Sequence, residues 1–193
     1  MDERLLRFFY GAEGGALTWI AAAFTVLGEG WVVLALLPLL ASRRLRAPTL
    51  ALTVVLAVTA AVVAALKSVV HRVRPCHVVP GVECLWGRAP TDFSFPSGHA
   101  AGSFAFAAFV GAVVFCSAEL KMRQTTKVAL CCTVLLTATC IALSRVYLGV
   151  HFPGDVAAGS CLGAAIGFAG AGAHLRRGSP RAADAPSPQE TPR

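Results

Sequence analysis

The ionisable residues of this chain gather in three short segments that lie between long apolar runs. The segments are KSVVHRVRP at residues 67–75, FPSGHAAGSF at 95–104 and SRVYLGVHFPGD at 144–155. Together they supply lysine and arginine, which are common ligands of phosphate oxygens, and histidine, whose charge changes near neutral pH. The segments therefore predict a site that binds an anion with several oxygens and carries out acid–base or nucleophilic chemistry on it.

In the first segment, Lys67 and Arg74 are seven residues apart. Residues i and i+7 share one face of an α-helix and lie about 10 Å apart along its axis. Pro75 predicts that this helix stops there, because the residue before a proline is disfavoured in the helical conformation. Two cations on one face suit an anion with several oxygens, which arginine binds with a planar fork and lysine with a point charge.

The second segment predicts the beginning of a helix. Ser97 is a suitable N-cap, and Gly98 and His99 would be the first helical residues. The free N–H groups of a helix N-terminus bind phosphate readily, and glycine allows the backbone to come close to a ligand. His99 would then stand beside an anion site as a titratable group.

The third segment combines a cation with a histidine and a carboxylate. Arg145 ends one apolar run, and Pro153 is a good first-turn residue for the next helix. Asp155 follows His151 by four residues, a spacing that can bring the two side chains together. A carboxylate on one imidazole nitrogen selects the tautomer and leaves the other nitrogen free as a base or nucleophile.

Each of these residues has a plainer interpretation when it is taken alone. A lysine or arginine at a membrane boundary is usually an anchor whose charged end reaches the interface, and a serine before an apolar run is usually only a cap. A lone histidine near an interface is more often structural than catalytic. However, all three segments fall on one predicted face of the membrane, where positive residues are disfavoured, and this coincidence favours a shared function.

The composition indicates which elements must position these residues. Hydrophobic residues make up 56% of the 193 residues and charged residues only 14%, well below the quarter that is usual in soluble domains. The net charge of +7 is not gathered into a basic stripe interleaved with aromatic residues, which argues against a nucleic-acid partner. We therefore expect an integral membrane protein in contact with the lipid bilayer.

Five stretches predict transmembrane helices in an all-α membrane bundle. Four contain no Asp, Glu, Lys or Arg and are long enough, or nearly so, to cross about 30 Å of hydrocarbon, and the first contains one charge, Glu29. Helices are favoured because backbone polar groups cannot be left unpaired in lipid. The stretches are 14–42, 47–66, 100–118, 128–144 and 156–173.

Basic loops predict the orientation and the domain organisation. Segments 42–46 and 121–127 and the residues after the fifth span are basic and fall on one side, which is cytoplasmic by the positive-inside rule. The three charged segments then face outwards, and the short chain suggests a bacterial inner membrane with the site facing the periplasm or exterior. We expect a single domain over 1–177 with the motif-bearing core at 67–155, and a disordered cytoplasmic tail over 178–193.

Three residues outside the segments are further candidates. Acids inside a membrane span usually mark function or a polar cavity, so Glu29 is a candidate cavity residue. The alternative is a helix that is tilted or broken at its flanking glycines, so that Glu29 reaches water. Cys76 and Cys84 lie in a polar loop on the predicted outer face and are candidates for a disulfide, whereas the other five cysteines lie in apolar runs.

The three segments resemble the signature motifs of the type 2 phosphatidic acid phosphatase family. Written as patterns, these motifs are K-x6-RP, PSGH and SR-x5-H-x3-D, and every defining position is filled in the right order. The resemblance covers residues 67–155. The family also includes glucose-6-phosphatase and the vanadium-dependent haloperoxidases, but the latter are typically soluble.

The resemblance implies a membrane lipid phosphatase that needs no metal or other cofactor and works through a phosphohistidine. It implies that His151 is the nucleophile, that Asp155 orients it and that His99 protonates the leaving oxygen. It further implies that the phosphoryl group is held by Lys67, Arg74, Ser97, Gly98 and Arg145. The implied substrates are lipids with a phosphate or diphosphate monoester, such as undecaprenyl diphosphate, phosphatidylglycerol phosphate or phosphatidic acid.

An alternative from another class is a transporter or channel that uses Glu29 and the outer-face cations as a pathway. Charges confined to one face argue against it, because a pathway should cross the bilayer. The sequence leaves the identity of the lipid and the oligomeric state open.

Overall fold

The fold is a bundle of α-helices, as predicted. In the computed structural model, residues 1–11, 15–30, 35, 37–117 and 121–178 are described, and these contain helices and turns but no strand. A short 3-10 turn spans Leu37–Ala41. The helices are α1 Asp2–Phe9, α2 Ala16–Leu27, α3 Arg46–Val70, α4 Pro75–Val78, α5 Gly98–Cys116, α6 Gln124–Tyr147 and α7 Pro153–Gly178.

Four of the described helices, α3, α5, α6 and α7, are long and apolar enough to cross a membrane. They correspond to the last four predicted spans. The first predicted span contains the shorter apolar helix α2, and parts of this span, including Trp31, lie outside the described residues. The predicted tail also lies outside them from residue 179 onwards.

Helices α5 and α7 form the tightest pair in the bundle, and glycine permits it. A Cβ atom on Gly159, Gly163 or Gly167 would come within 2.0–2.5 Å of a backbone oxygen of α5. Small residues spaced four apart let two helix backbones approach closely, which is a common way to pack helices in membranes. This packing joins the N-terminal end of α5, which carries His99, to the N-terminal end of α7, next to His151.

The end of α3 corrects one prediction. The helix ends at Val70, and His71 follows in the left-handed conformation with φ 52°. Arg74 is therefore not on the same helix face as Lys67 but lies in extended chain, as the N-cap of α4. His71 turns the chain four residues before Pro75, and this turn places Arg74 next to the loop formed by residues 79–97.

Helix α1 packs against the end of the bundle where α6 ends and α7 begins. Leu6 is fully buried in an apolar cluster that includes Val82 of the loop 79–97, Val146 of α6 and Phe152 of the turn before α7. Tyr10 closes the contact, because its hydroxyl accepts a hydrogen bond of 2.9 Å from Glu83 N. The first residues of the chain are thereby held over the turn that carries His151.

Candidate active site

The three charged segments meet at one end of the bundle around a polar pocket of about 380 Å³. Its lining comes from α2, the end of α3, Arg74, the loop 84–92, the beginning of α5, the end of α6 and the turn 148–151. Of the residues predicted to bind phosphate or to catalyse, Lys67, Arg74, Gly98, His99, Arg145 and His151 line this pocket, and the candidates Glu29 and Cys84 line it as well. The tertiary structure therefore brings together residues that are up to 84 positions apart in sequence (151 − 67).

His151 presents one ring nitrogen to the pocket. Arg74 Nη1 lies 2.9 Å from His151 Nε2 and also donates to the Val150 carbonyl at 2.8 Å. A guanidinium has only donors, so Nε2 must be the acceptor and carries the lone pair. The proton of the neutral imidazole is then on Nδ1, on the far side of the ring, and the Nε2 lone pair accepts from Arg74.

The Nδ1 side of His151 faces Ser94 and Asp155. Asp155 Oδ2 lies 3.7 Å from Nδ1, which is too long for a hydrogen bond, whereas Ser94 Oγ lies at 3.4 Å. Ser94 in turn donates to Asp155 Oδ2. Asp155 is fully buried and Oδ2 also accepts from Phe152 N at 2.9 Å. The carboxylate therefore acts on the imidazole partly through Ser94.

Lys67 and Arg74 share one internal anion. Lys67 Nζ bonds to Asp92 Oδ2, and Arg74 Nη2 donates to Asp92 Oδ1 at 2.8 Å. Arg74 Nε also donates to the Asp92 carbonyl at 2.9 Å. The Asp92 carboxylate thus lies between the two cations.

Arg145 reaches the pocket from the end of α6 and is held by α2. Its Nη1 donates to Thr25 Oγ1 at 3.0 Å, and Thr25 also lies 3.1 Å from the Ser144 hydroxyl. Arg145 Nε is buried and has no hydrogen-bond partner among the described residues. An unsatisfied buried donor is costly, and this one is available to an incoming oxygen.

His99 stands at the N-terminus of α5, as predicted. Ser97 is the N-cap and accepts from Ala100 N at 3.5 Å, but its side chain is fully buried and does not line the pocket. Gly98 does line it. His99 Nε2 is buried and has no hydrogen-bond partner within the described part of the chain. Two residues that line the pocket, His99 and Arg145, thus each have a buried polar atom without a partner among the described residues.

Burial and neighbouring charges determine the protonation states of His151 and Asp92 at neutral pH. Burial lowers the pKa of His151 to about 4, against the raising effect of Asp155 and with help from the positive Arg74 and Arg145. The imidazole is therefore neutral. Partial burial would raise the pKa of Asp92, but hydrogen bonds from Lys67 and Arg74 lower it to about 2, so Asp92 is ionised.

Below the polar pocket lies an apolar cavity of about 680 Å³. Its walls come from α2, α3, α5 and α6 and include Leu56, Val63, Phe106 and Ile141. The two spaces share the lining residues Glu29, Lys67, Asp92, Gly98 and His99. Glu29 lies one residue beyond the C-cap of α2, at the boundary of the two spaces. The predicted cavity residue therefore lies where an apolar and a polar space join.

Cys76 and Cys84 are free thiols in the structure. The Cys84 thiol donates to the Trp86 carbonyl at 3.2 Å. The Trp86 ring packs edge-on against Trp19 of α2, with centroids 5.1 Å apart. The disulfide stays a prediction, and alkylation of the unreduced protein followed by mass spectrometry tests it.

Four contacting residues escaped the sequence-based prediction of the site: Ser94, Asp92, Thr25 and Arg72. Ser94 and Asp92 precede the PSGH motif by a few residues and could have been suspected from that proximity. Thr25 carried no signal, because a threonine in an apolar helix usually bonds its own backbone. Arg72 lies within the first segment at a position that the motif leaves unspecified, and its contacts depend on chain segments 70 and 83 residues away.

Comparison with known proteins gives concordant matches. A sequence profile described as PAP2 superfamily matches residues 48–178. A decaprenylphosphoryl-5-phosphoribose phosphatase of Mycobacterium tuberculosis is 37% identical over 138 residues, which cover 72% of this chain and 68% of the relative. An undecaprenyl-diphosphatase of Sulfolobus acidocaldarius is 32% identical over 139 residues, covering 72% of this chain and 60% of the relative.

A solved structure shares the fold. The PAP2-type phosphatidylglycerolphosphate phosphatase of Bacillus subtilis superimposes with a TM-score of 0.73 and 24% identity, over 91% of this chain and 85% of the other. This similarity concerns the arrangement of the helices.

Proposed function

The chain belongs to the PAP2 superfamily and is a membrane lipid phosphatase, and from this premise we propose that it hydrolyses a lipid phosphate ester through a phosphohistidine on His151. One observation carries the proposal. His151, whose Nε2 is the unprotonated ring nitrogen, lines one pocket together with Lys67, Arg74, Arg145 and His99, and His99 Nε2 has no hydrogen-bond partner among the described residues.

In the first step, Arg74 Nη1 turns from His151 Nε2 to a phosphoryl oxygen, and the released Nε2 lone pair attacks phosphorus while the bond from phosphorus to the ester oxygen breaks. His99, protonated beforehand, gives its proton to that oxygen, and the lipid leaves as an alcohol or, from a diphosphate, as a monophosphate. The Nδ1 proton stays between His151, Ser94 and Asp155. Asp155 and Ser94 hold the imidazolium-like ring, while the cations stabilise the phosphoryl oxygens.

In the second step, water attacks the phosphorus of phosphohistidine. His99 takes one proton from this water, the P–N bond breaks and the electron pair returns to Nε2. Inorganic phosphate leaves and His151 is again neutral. His151 and His99 thus end the cycle in their starting protonation states, and neither step uses a metal.

The apolar cavity is a suitable place for the lipid chain. It meets the polar pocket at Lys67, Gly98 and His99, so a phosphate held by the cations leaves its ester oxygen near the entrance to the cavity. Both curated relatives carry names of polyprenyl lipid phosphatases. We therefore place polyprenyl phosphates and diphosphates first among the substrates, ahead of phosphatidylglycerol phosphate and phosphatidic acid.

The orientation belongs to the same proposal. The basic segments 42–46 and 121–127 lie at the opposite end of the bundle from the pocket, which supports a cytoplasmic position for them and a periplasmic or exterior one for the site. Labelling of an engineered single cysteine beside the pocket in intact bacterial cells, with a reagent that does not cross membranes, tests this. Labelling only after lysis would reverse the orientation.

Phosphate release by purified protein from a panel of these lipids, with and without EDTA, tests the function. We expect activity that survives EDTA, and a loss of at least about 1,000-fold in His151→Ala, as for other covalent nucleophiles. A radiolabelled lipid phosphate should transfer its label to wild-type protein in a bond that is labile in acid and stable in alkali. Wild-type release by His151→Ala would remove the phosphohistidine, and inactivity towards every lipid would favour the transporter alternative.

A further inference from the structure

The first turn of α1 reaches the catalytic end through Asp2. Asp2 Oδ1 accepts a hydrogen bond of 2.8 Å from Gly154 N, which is one of the free N–H groups at the beginning of α7. Asp2 Oδ2 accepts from Arg72 Nη2 at 2.6 Å. An acid from another segment thus caps α7 next to His151 and is at the same time paired with an arginine.

Arg72 connects this acid to the buried carboxylate of the site. Its other terminal nitrogen, Nη1, donates to Asp155 Oδ1 at 2.7 Å, and its guanidinium lies 4.1 Å from the centre of the Phe152 ring. A planar fork that bonds one carboxylate with each arm and rests on an aromatic face has little freedom to rotate. Arg72 is therefore held from three directions.

Asp155 in turn has every oxygen assigned. Oδ1 bonds to Arg72, while Oδ2 bonds to Ser94 and to Phe152 N at 2.9 Å. The orientation of the carboxylate plane then determines where Ser94 Oγ and Oδ2 stand with respect to His151 Nδ1. A rotation of this plane would move the support of the imidazole and, with it, the direction of the Nε2 lone pair.

We propose that Asp2 and Arg72 are positioning residues of the catalytic reaction, forming a relay from α1 through Asp155 to His151. The relay rests on the proposed role of His151. It lies outside the three signature patterns, because K-x6-RP leaves position 72 free and no pattern includes α1. Neither residue lines the pocket, so the relay acts on the rate of reaction and not on substrate binding.

Steady-state kinetics of single variants test the relay. In Arg72→Gln we expect kcat to fall about 10- to 100-fold, as is usual when a residue that orients a catalytic group is lost, with KM within about twofold. In Asp2→Asn, which keeps the shape of the side chain, we expect a fall in kcat of about three- to tenfold. Arg72→Lys should recover part of the loss, since it restores one charge but cannot hold both carboxylates.

Arg7→Gln is the matched control. Arg7 also lies on α1 and fastens it to the bundle by a bond of 3.2 Å to the Pro80 carbonyl, and it pairs with Glu3 of the same helix at 2.9 Å. None of these bonds involves Arg72 or Asp155. This variant should keep kcat within about twofold. The double variant Asp2→Asn/Arg72→Gln should be no slower than Arg72→Gln, because members of one relay are not additive.

The outcomes separate the relay from its alternatives. Wild-type kcat in Arg72→Gln overturns the proposal, and so does an equal loss in Asp2→Asn and Arg7→Gln, which would mean that only the docking of α1 matters. A rise in KM alone would mean a substrate contact instead. Should Arg72→Gln fail to fold, Asp2→Asn and its control still decide. His151→Ala in the same preparation reports separately on the proposed function: if it stays active, the nucleophile is wrong, whatever the relay does.

Discussion

Arg72 and Arg74 stand two residues apart, and each forms a salt bridge with an aspartate, but the exposure of the two pairs is reversed. The Arg74 side chain is 4% exposed and its partner Asp92 is 55% exposed. Arg72 is 31% exposed, whereas its partner Asp155 is completely buried. A buried carboxylate that loses its cation cannot return to water, but an exposed one can.

This difference indicates which pair can open during the reaction. Under the proposed function, a phosphate would displace Asp92 from Lys67 and Arg74: the half-exposed carboxylate would return to water, and the phosphate would replace it beside the buried Arg74. Asp155 cannot leave, because its oxygens are used by Arg72, Ser94 and the Phe152 backbone. The Arg74–Asp92 pair can therefore exchange its anion, whereas the Arg72–Asp155 pair keeps its own.

Loss of Arg74 should have the largest effect. In Arg74→Gln, the phosphate loses a forked donor and His151 loses the partner of its Nε2, so kcat/KM should fall about 100- to 1,000-fold, as when one donor to a developing charge is removed. KM should rise as well, in contrast to Arg72→Gln. Kinetics with both variants on one lipid check this, and an unchanged KM in Arg74→Gln would erase the contrast between the two arginines.

Loss of Ser94 tests the Arg72–Asp155 pair at the second carboxylate oxygen, because Ser94 bonds to Oδ2 and Arg72 to Oδ1. Ser94→Ala removes the hydroxyl between His151 Nδ1 and Asp155, so kcat should fall about tenfold or somewhat more, with KM nearly unchanged. Ser68→Ala is the control, because Ser68 bonds only to the Ala65 carbonyl of its own helix. Equal rates in the two variants would mean that Asp155 acts on the ring without Ser94.

Neutralising Asp92 should have a smaller effect and in the opposite direction. In Asp92→Asn, the two cations lose a competing anion that is half exposed, so inorganic phosphate and vanadate should inhibit about two- to fivefold more tightly. Inhibition constants at fixed ionic strength measure this. Weaker inhibition would show that Asp92 arranges Lys67 and Arg74 for the phosphate and does not compete with it.

As the pH is lowered, the stability contributions of His151 and then of Asp92 should be lost, and these are the smallest of the expected effects. The pKa of His151 is about 4 in the fold against 6.5 for a free histidine, so the unfolded chain binds this proton first and stability falls from pH 6.5 to 4. The pKa of Asp92 is about 2 against 3.8, so its contribution is lost between pH 3.8 and 2.

Thermal unfolding in detergent across these pH ranges measures both declines, at about 2–4 °C in Tm for each kcal/mol. Asp92→Asn should remove only the decline below pH 3.8, and His151→Gln only the one above pH 4. A single decline that both variants share would mean that the two groups titrate together.

Much of the site was predictable because its chemistry requires particular residue types at short spacings. Cations, a capped helix N-terminus and a His–Asp pair four apart are all local features, and the structure places Lys67, Arg74, Gly98, His99, Arg145 and His151 around one pocket. The helix content was predictable for a similar reason, since long apolar runs in lipid must satisfy their backbone groups internally.

Other features were not local and could not be predicted. The left-handed conformation of His71, which ends α3 before Pro75, depends on how the chain turns next to the loop 79–97. The assignment of Arg74 to Asp92 and of Arg72 to Asp155 joins residues 18 and 83 positions apart. Two arginines in one nonapeptide look equivalent until the folded chain places a different carboxylate before each.

The sequence by itself determined the spans, the three charged segments and the kind of anion that they suit, because these depend on residue type and near spacing. Only the tertiary structure decided which nitrogen of His151 carries the proton, that Ser94 stands between this ring and Asp155, and that Asp2 reaches the site. The physical reason is that hydrogen bonds act over about 3 Å, and only the packing of α1, α5 and α7 brings these atoms within that distance.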